Sequence, residues 1–223
     1  MKMFLFDIDG TLLHTGGAGR IAFERAFKTV FNIPEAWGQT RPDGKTDPII
    51  FQEIAARVLK RRLKSREYRE LCSLYTEYFE EEIKNPPSFR LMPSVVKLLQ
   101  ELSRQKDCLL GVATGNFEKA AWAKLRRGGI DSFFSFGGFG SDSSDRPGLT
   151  RKALARRRKI AGKRIPANSV CLIGDTAFDI LAGKQLGLKT VAVATGKFPR
   201  RELKDSDPDH LIENLAKFPK EFF

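Results

Sequence analysis

Apolar residues in this chain gather in short, nearly continuous runs rather than at every second position. Continuous runs are typical of strands that are buried on both faces of a parallel sheet. They predict strands at residues 2–7, 108–115, 132–136, 170–175 and 190–196.

Helical patterns separate these runs from one another. They predict helices over residues 93–103, 116–127, 149–160 and 177–186, and Pro93 stands where the first turn of a helix accepts proline. The alternation of strands and helices indicates an α/β fold with a doubly wound, Rossmann-like parallel sheet.

Residues 15–89 interrupt this alternation, because they contain three helical patterns and no convincing strand. In the last of the three, apolar residues recur at the 3.6-residue period along one stripe: Tyr68, Leu71, Cys72, Tyr75, Phe79 and Ile83. The pattern predicts a small all-helical insertion, residues 15–89, after the first strand of an α/β core that comprises residues 1–14 and 90–223.

Positive charge dominates the chain. Its 223 residues include 39 Lys and Arg against 27 Asp and Glu, a net charge of +12, which favours anionic partners. Part of the excess falls within residues 151–164: Arg151, Lys152, Arg156, Arg157, Arg158, Lys159, Lys163 and Arg164. Such a run is more often a solvated helix face than a nucleic-acid site, and no aromatic residue interleaves with it for base stacking. Nucleic-acid binding through this segment is the lesser alternative.

Two further patterns bear on the compartment. The apolar run at the start of the sequence is short and is cut by Asp7, unlike a signal peptide, and no stretch is long enough to span a bilayer. The three cysteines are far apart, which favours buried thiols in a reducing compartment. We expect a cytoplasmic monomer or dimer without a membrane partner.

Polar residues follow three of the predicted strands at the point where each strand ends. They are Asp7 and Asp9, then Thr114 and Asn116, then Asp175 and Asp179. Asp9 and Gly10 alone would also suit a hairpin turn, but that interpretation leaves the other two clusters unconnected. Because the carboxyl ends of parallel strands form the ligand crevice of an open α/β sheet, we expect these side chains to converge.

Convergence of four carboxylates brings like charges together, so a cation is needed to keep them ionised. Oxygen ligands suit Mg²⁺, which is commonly held by a few carboxylates together with a substrate phosphate. Thr114 adds a hydroxyl donor, and Gly115 and Asn116 open a helix whose free N–H groups favour an anion. These features predict a site for a phosphate monoester and Mg²⁺, with a carboxylate as nucleophile.

The motifs "DIDGT", "VATGN" and "GDTAFD", in this order and spacing, resemble motifs I, II and IV of the haloacid dehalogenase-like phosphohydrolases. The helical insertion stands where that family carries a C1 cap, and "GKTDPII" is similar to the caps of the phosphoglycolate phosphatase and β-phosphoglucomutase group. The resemblance implies a phosphatase that acts on a small phosphorylated metabolite. A phosphosugar mutase is the alternative, because it would use the same residues.

The resemblance also assigns roles to the carboxylates. Asp7 would attack phosphorus and bind Mg²⁺ with its other oxygen, while Asp9 would act as general acid and base and bind the metal through its main-chain carbonyl. Asp175 would be the third protein ligand. Asp179 would contact the metal through water or support its ligands.

Thr114, Gly115 and Asn116 would hold the oxygens of the transferring phosphoryl group. The family usually has a lysine before the helix that precedes motif IV, and Arg146 stands there in this chain. Arginine keeps the charge but is longer and planar. Lys152, about one turn into the following helix, is the alternative for this role.

The cap is expected to supply contacts to the leaving group, from Arg20 and from the loop that contains Lys45. Asp47 in the same loop is as well placed to cap a helix, because it precedes a proline. The expected linkers are the glycine pair at residues 16–17 and the proline-containing stretch 86–92.

Overall fold

The computed structural model describes residues 1–161 and 165–222, except for the side chains of residues 158–161. Its strands are β1 (Lys2–Phe6), β2 (Leu13–Thr15), β3 (Phe89–Leu91), β4 (Cys108–Ala113), β5 (Gly137–Gly138), β6 (Val170–Gly174), β7 (Lys189–Val193) and β8 (His210–Ile212). Six of them form a parallel sheet in the order β5-β4-β1-β6-β7-β8, and β2 pairs with β3 in a separate antiparallel ladder.

The helices alternate with the strands of the sheet, except for the first three, which follow one another. They are α1 (Ala18–Phe31), α2 (Asp47–Leu59), α3 (Ser65–Glu82), α4 (Val95–Ser103), α5 (Glu118–Arg127), α6 (Arg146–Ala161), α7 (Ala177–Gln185) and α8 (Arg200–Asp205). The predicted α/β fold with a parallel sheet and a helical cap is confirmed.

The central strand β1 is buried on both faces, which explains its continuous apolar run. Met3 and Leu5 pack in one cluster with residues of α6 and α7, whereas Phe4 and Phe6 pack in another with residues of α4 and α5. Successive side chains of a strand point to opposite faces, so each face needs its own helical layer. The two layers leave the carboxyl edge of the sheet open for a site.

Helices α1 to α3 form the cap around an aromatic cluster. The ring centroid of Phe23 lies 4.4 Å from the centroids of both Phe51 and Tyr75. Phe117, immediately before α5, joins the same cluster, with its centroid 5.8 Å from that of Phe51. The cap therefore packs directly against the start of α5.

The prediction of a strand at residues 132–136 is wrong. A short 3-10 helix occupies Asp131–Phe133, and the strand that pairs with β4 is Gly137–Gly138. Phe134 and Phe136 are buried without belonging to a strand. The apolar pattern therefore identified burial but not the conformation, and glycines provide no apolar signal for β5.

Short elements at the ends of the insertion are absent from the sequence prediction. Thr15 of β2 pairs with Phe89 of β3, so the chain enters and leaves the cap side by side. Three-residue strands of mixed polarity carry too little periodicity to be recognised.

The basic segment is not a uniformly solvated face. Arg151 and Lys152 are exposed, but Arg156 forms two hydrogen bonds with the carboxylate of Asp142, at 2.5 and 2.8 Å, and Arg157 is buried. The side chains of Arg158 and Lys159, and all of Lys163 and Arg164, lie outside the described residues. No helix in the described part of the chain has the length and apolar character needed to cross a membrane.

Candidate active site

Asp7 directly follows β1 and is buried at the carboxyl edge of the sheet. Its N–H donates to the carbonyl of Ile173 in β6 at 2.8 Å, which continues the pairing of these strands by one residue. The turn that follows needs a glycine, because Gly10 has a φ of +82° and a Cβ there would lie 2.3 Å from Oδ2 of Asp175. The local backbone thus holds Asp7 beside the end of β6.

Three buried carboxylates meet at this edge. Asp7, Asp175 and Asp179 each place an oxygen within 4.8 Å of the others. Asp175 follows β6, and Asp179 lies in the first turn of α7, where its Oδ2 accepts a hydrogen bond from Oγ1 of Thr176 at 2.6 Å. Burial and the charges of Asp7 and Asp179 raise the pKa of Asp175 well above its ordinary value. Burial also raises the pKa of Asp179, to about 6.

Arg146 is the first residue of α6 and reaches into this cluster. Its Nη1 lies 3.1 Å from Oδ1 of Asp7 and 2.8 Å from Oδ1 of Asp179. The helix begins here because Oδ1 of Asp145 accepts a hydrogen bond from the N–H of Gly148 at 2.6 Å, as an N-cap residue does. Burial alone would lower the pKa of Arg146, but the charges of Asp179 and Asp7 outweigh it and raise that pKa.

Lys152, the alternative to Arg146, is exposed and contributes nothing to the lining of the cavity above Asp7. The positive charge next to the cluster is therefore an arginine in this chain.

The donor set fits a hard divalent cation. All three cluster residues offer carboxylate oxygens, the ligands such ions prefer. A bound cation would offset the charges of Asp7 and Asp179, which add to the effect of burial in raising the pKa of Asp175. The side chain of Asp9 is not part of the cluster, because its Oδ2 accepts a hydrogen bond from Nζ of Lys124 at 2.6 Å. Both oxygens of Asp179 already contact Thr176 and Arg146.

The segment after β4 forms the opposite wall. Thr114 is buried, and its N–H donates to the carbonyl of Gly138 at 3.0 Å. Asn116 is linked to the loop that follows β5, because its main-chain carbonyl accepts a hydrogen bond from the N–H of Gly140 at 2.8 Å. These two hydrogen bonds hold the segment 114–116 against the chain at residues 138–140.

A cavity of about 580 Å³ lies between this edge and the cap. Predicted site residues that line it are Asp7, Asp9, Arg20, Lys45, Thr114, Gly115, Asn116, Arg146 and Asp175. Asp179 stands behind them, in contact with Arg146. The structure thus brings the residues of all three motifs and of the cap to one place.

Each of the two cap cations is paired with a glutamate of the cap. Nε of Arg20 lies 3.1 Å from Oε1 of Glu24, and its side chain is 57% exposed. Nζ of Lys45 lies 2.5 Å from Oε2 of Glu53. Their charges are therefore partly offset within the cap.

Asp47 joins the cap to the core instead of capping its own helix. Thr46 occupies the N-cap position of α2, while Oδ2 of Asp47 accepts a hydrogen bond from the N–H of Phe117 at 2.8 Å. The N–H of Asp47 donates to the carbonyl of Gly115, also at 2.8 Å. Burial raises the pKa of Asp47 to about 6, although Lys124 and the Phe117 amide act in the opposite direction.

Comparison with known proteins identifies the family of this chain. The family model described as haloacid dehalogenase-like hydrolase matches residues 4–193. The chain belongs to this family. The resemblance inferred from the three motifs is thereby confirmed, as is the prediction of an enzyme.

Relatives of this haloacid dehalogenase-like hydrolase match it over nearly its whole length. A phosphoglycolate phosphatase of Synechococcus elongatus is 28% identical over 96% of this chain and 93% of its own. The pyrophosphatase PpaX of Oceanobacillus iheyensis is 24% identical over 96% of this chain and 94% of its own. The structure of CbbY from Rhodobacter sphaeroides in complex with phosphate shares the fold, with a TM-score of 0.74, 21% identity and coverage of 97% and 96%.

One residue of the hydrolase site is absent from the sequence prediction. Lys124 lines the cavity from α5 and bonds Asp9 and Asn116. The available signal was its spacing from the apolar residues Ala120 and Ala121, one helical turn earlier on the buried side of α5. A lysine on an apolar helix face is rarely buried unless it is paired.

Proposed function

We propose that this hydrolase is a Mg²⁺-dependent phosphatase that cleaves a small phosphate monoester through an aspartyl-phosphate on Asp7. The observation that carries the proposal is the position of Asp7. It is buried at the base of the cavity, 3.1 Å from the guanidinium of Arg146 and in contact range of two further carboxylates. The relatives named phosphoglycolate phosphatase and pyrophosphatase support phosphoryl chemistry at this site.

In the first step, a carboxylate oxygen of Asp7 forms a bond to phosphorus while the bond from phosphorus to the ester oxygen breaks. The electron pair of that bond leaves with the ester oxygen, which takes a proton from Asp9. The products are the free alcohol and a mixed anhydride on Asp7. Asp9 suits this role because it is 44% exposed at its side chain and lines the same cavity.

In the second step, water attacks phosphorus and gives a proton to Asp9. The bond between phosphorus and the Asp7 oxygen breaks, which releases inorganic phosphate and restores both carboxyl groups to their starting states. Asp9 thus acts first as an acid and then as a base. Covalent catalysis of this kind divides one difficult displacement into two easier ones.

Groups on the cavity wall are suited to hold the transferring phosphoryl group. Thr114 offers a hydroxyl, and the N–H groups of Gly115 and Asn116 lie just before α5, where the helix dipole favours an anion. Arg146 contributes a fixed positive charge beside Asp7. Such donors stabilise the charge that develops in the transition state.

Mg²⁺ would be held by Asp7, Asp175 and the main-chain carbonyl of Asp9, with Asp179 acting through water. When bound, it would withdraw negative charge from the phosphoryl oxygens and offset the repulsion within the carboxylate cluster. The protein supplies the buried, oxygen-only setting that this requires.

The cap, taken as residues 15–89 on a core of residues 1–14 and 90–223, would close over the substrate. Closure is expected to exclude water from the mixed anhydride, and opening to release the product. Arg20 and Lys45 would then contact the leaving group. Their offset charges suit a small phosphorylated metabolite more than a highly charged polymer.

A substrate panel tests the proposal. Phosphorylated sugars, 2-phosphoglycolate, pyrophosphate and nucleotides are incubated with the protein in Mg²⁺ or in EDTA, and released phosphate is measured. We expect release from at least one compound in Mg²⁺, none in EDTA, and none from Asp7→Asn. Conversion of a sugar phosphate into its isomer without release would favour the mutase, and full release in EDTA would contradict the proposal.

A further inference from the structure

Lys124 occupies a site made for it on the buried side of α5. Its side chain is only 5% exposed. Small residues precede it on the same helix, since Ala120, Ala121 and Ala123 are all buried and leave room for the lysine stem. A leucine would fill such a position without any cost of burying charge.

The ammonium group of Lys124 has two close partners, and both belong to the cavity wall. Nζ lies 2.6 Å from Oδ2 of Asp9 and 2.9 Å from Oδ1 of Asn116. The ring of Phe79, from the cap helix α3, lies over it, with the centroid 5.6 Å from Nζ. Lys124 is thus enclosed between the core and the cap.

These contacts are expected to add little to the net stability of the folded protein. Desolvation of an ammonium group costs several kcal/mol, and a buried ion pair seldom repays it. The side chain of Asp9 is 44% exposed, so one partner of the pair is buried and the other is in contact with solvent. Positioning of a reactive group is a better account of such a pair than stability.

We propose that Lys124 is a positioning residue that binds Oδ2 of the Asp9 carboxyl group and leaves Oδ1 to carry the proton toward the leaving-group oxygen. The inference rests on the proposed function, because it assigns the orientation of the acid and base in that reaction. Without Lys124, Asp9 would rotate among several side-chain conformations in a half-exposed site, and only some would reach the ester oxygen. Small errors of placement reduce catalysis steeply.

Asn116 extends the effect to the phosphoryl group. Lys124 bonds both Asp9 and Asn116, and it therefore fixes the distance between the acid and the wall that would hold the phosphate oxygens. One side chain would therefore position the groups that act at both ends of the scissile bond. The contact with Phe79 places cap helix α3 against this arrangement.

The test compares two esters whose leaving groups differ in their need for a proton. An alkyl phosphate expels a strongly basic alkoxide, whereas p-nitrophenyl phosphate expels a stable phenolate that needs little assistance. The ratio kcat/KM reports transition-state stabilisation relative to free enzyme and free substrate. It is measured for the wild type, Lys124→Met, Lys124→Gln and Lys124→Arg, with Lys119→Met as an exposed control on the same helix.

We expect Lys124→Met to lower kcat/KM for the alkyl phosphate about 100-fold and to change that for p-nitrophenyl phosphate less than tenfold. Lys124→Arg should recover part of the loss, and Lys119→Met should match the wild type. If Lys124→Met fails to fold, Lys124→Gln gives the same comparison, because its shorter amide loses the contact with Asp9 but keeps a polar group.

Equal losses for both esters, or no loss for either, would overturn the inference while the phosphatase assignment stands. If the wild type releases phosphate from neither ester nor from the substrate panel, the proposed function itself fails. The two failures are therefore distinguishable.

Discussion

Nη1 of Arg146 lies 3.1 Å from Oδ1 of Asp7, and both side chains are more than nine-tenths buried. The same nitrogen lies 2.8 Å from Asp179, so one guanidinium serves two carboxylates. A buried charge is tolerated when it is paired and hydrogen-bonded. Arg146 is therefore the protein's own compensation for part of the negative charge at the sheet edge.

Arg146→Ala should lower kcat about 100-fold, because it removes a fixed donor beside the transferring phosphoryl group. Arg146→Lys should retain or increase turnover, since lysine keeps the positive charge at this position. Steady-state phosphate release checks both variants. Lys152→Ala, which alters an exposed side chain further along α6, is the matched control and should behave as the wild type. Equal rates in all three variants would remove Arg146 from the reaction.

Asp175→Asn should make the protein more stable in metal-free buffer at pH 7. The pKa of Asp175 is raised well above its ordinary value, so the ionised carboxylate opposes folding. The amide oxygen of asparagine can still accept the hydrogen bond from Oγ1 of Thr11. We expect the free energy of unfolding to increase by about 1 kcal/mol. For a chain of this size, that corresponds to a rise of roughly 2–4 °C in Tm. Thermal unfolding in EDTA measures it.

The same variant should lose the stabilisation that Mg²⁺ gives to the wild type, because Asp175 is a proposed ligand. Asp205→Asn, an exposed carboxyl group on α8, should keep that response. A Tm rise with Mg²⁺ in Asp175→Asn as large as in the wild type would contradict a metal site at this cluster.

Part of this site could be predicted from sequence because it depends on strand ends. Asp7 and Asp175 follow continuous apolar runs, and parallel pairing alone brings them together. The contacts of Asp9 with Lys124 and of Asp47 with Phe117 join residues 115 and 70 positions apart. They depend on how the cap and α5 pack, which no local pattern contains.

Asp47→Asn should remove a pH-dependent loss of stability. Burial raises the pKa of Asp47 from 3.8 to about 6, so the folded state binds the proton more tightly than the unfolded chain. The contribution of Asp47 to the free energy of unfolding is fully present below pH 4 and is lost as the pH rises through 6. A shift of about two units corresponds to about 3 kcal/mol.

Urea unfolding in EDTA at pH 4 and at pH 7 measures this prediction. The stability of Asp47→Asn relative to the wild type should increase between the two pH values, by up to about 3 kcal/mol. Asp205→Asn, which alters an exposed carboxyl group on α8, is the control for the substitution itself. A constant difference between Asp47→Asn and the wild type across this range would mean that Asp47 does not titrate in this way.

Gly115→Ala should prevent the cap loop from seating on the core. A Cβ at this position would lie 2.3 Å from the carbonyl oxygen of Lys45, and the backbone on both sides is hydrogen-bonded. We expect a loss of about 10- to 100-fold in kcat/KM and a larger radius of gyration by small-angle scattering. Gly19→Ala, where the new Cβ meets only ordinary contacts, should leave the radius of gyration unchanged.

The central claim is that Asp7 carries the phosphoryl group. Wild-type protein is quenched in acid during turnover of its best ester and treated with borohydride, which reduces an aspartyl-phosphate to homoserine but leaves free aspartate intact. Peptide mass spectrometry should find homoserine at position 7 and nowhere else, and Asp7→Asn should give none. Homoserine at another aspartate, or turnover by Asp7→Asn within tenfold of the wild type, would contradict the account.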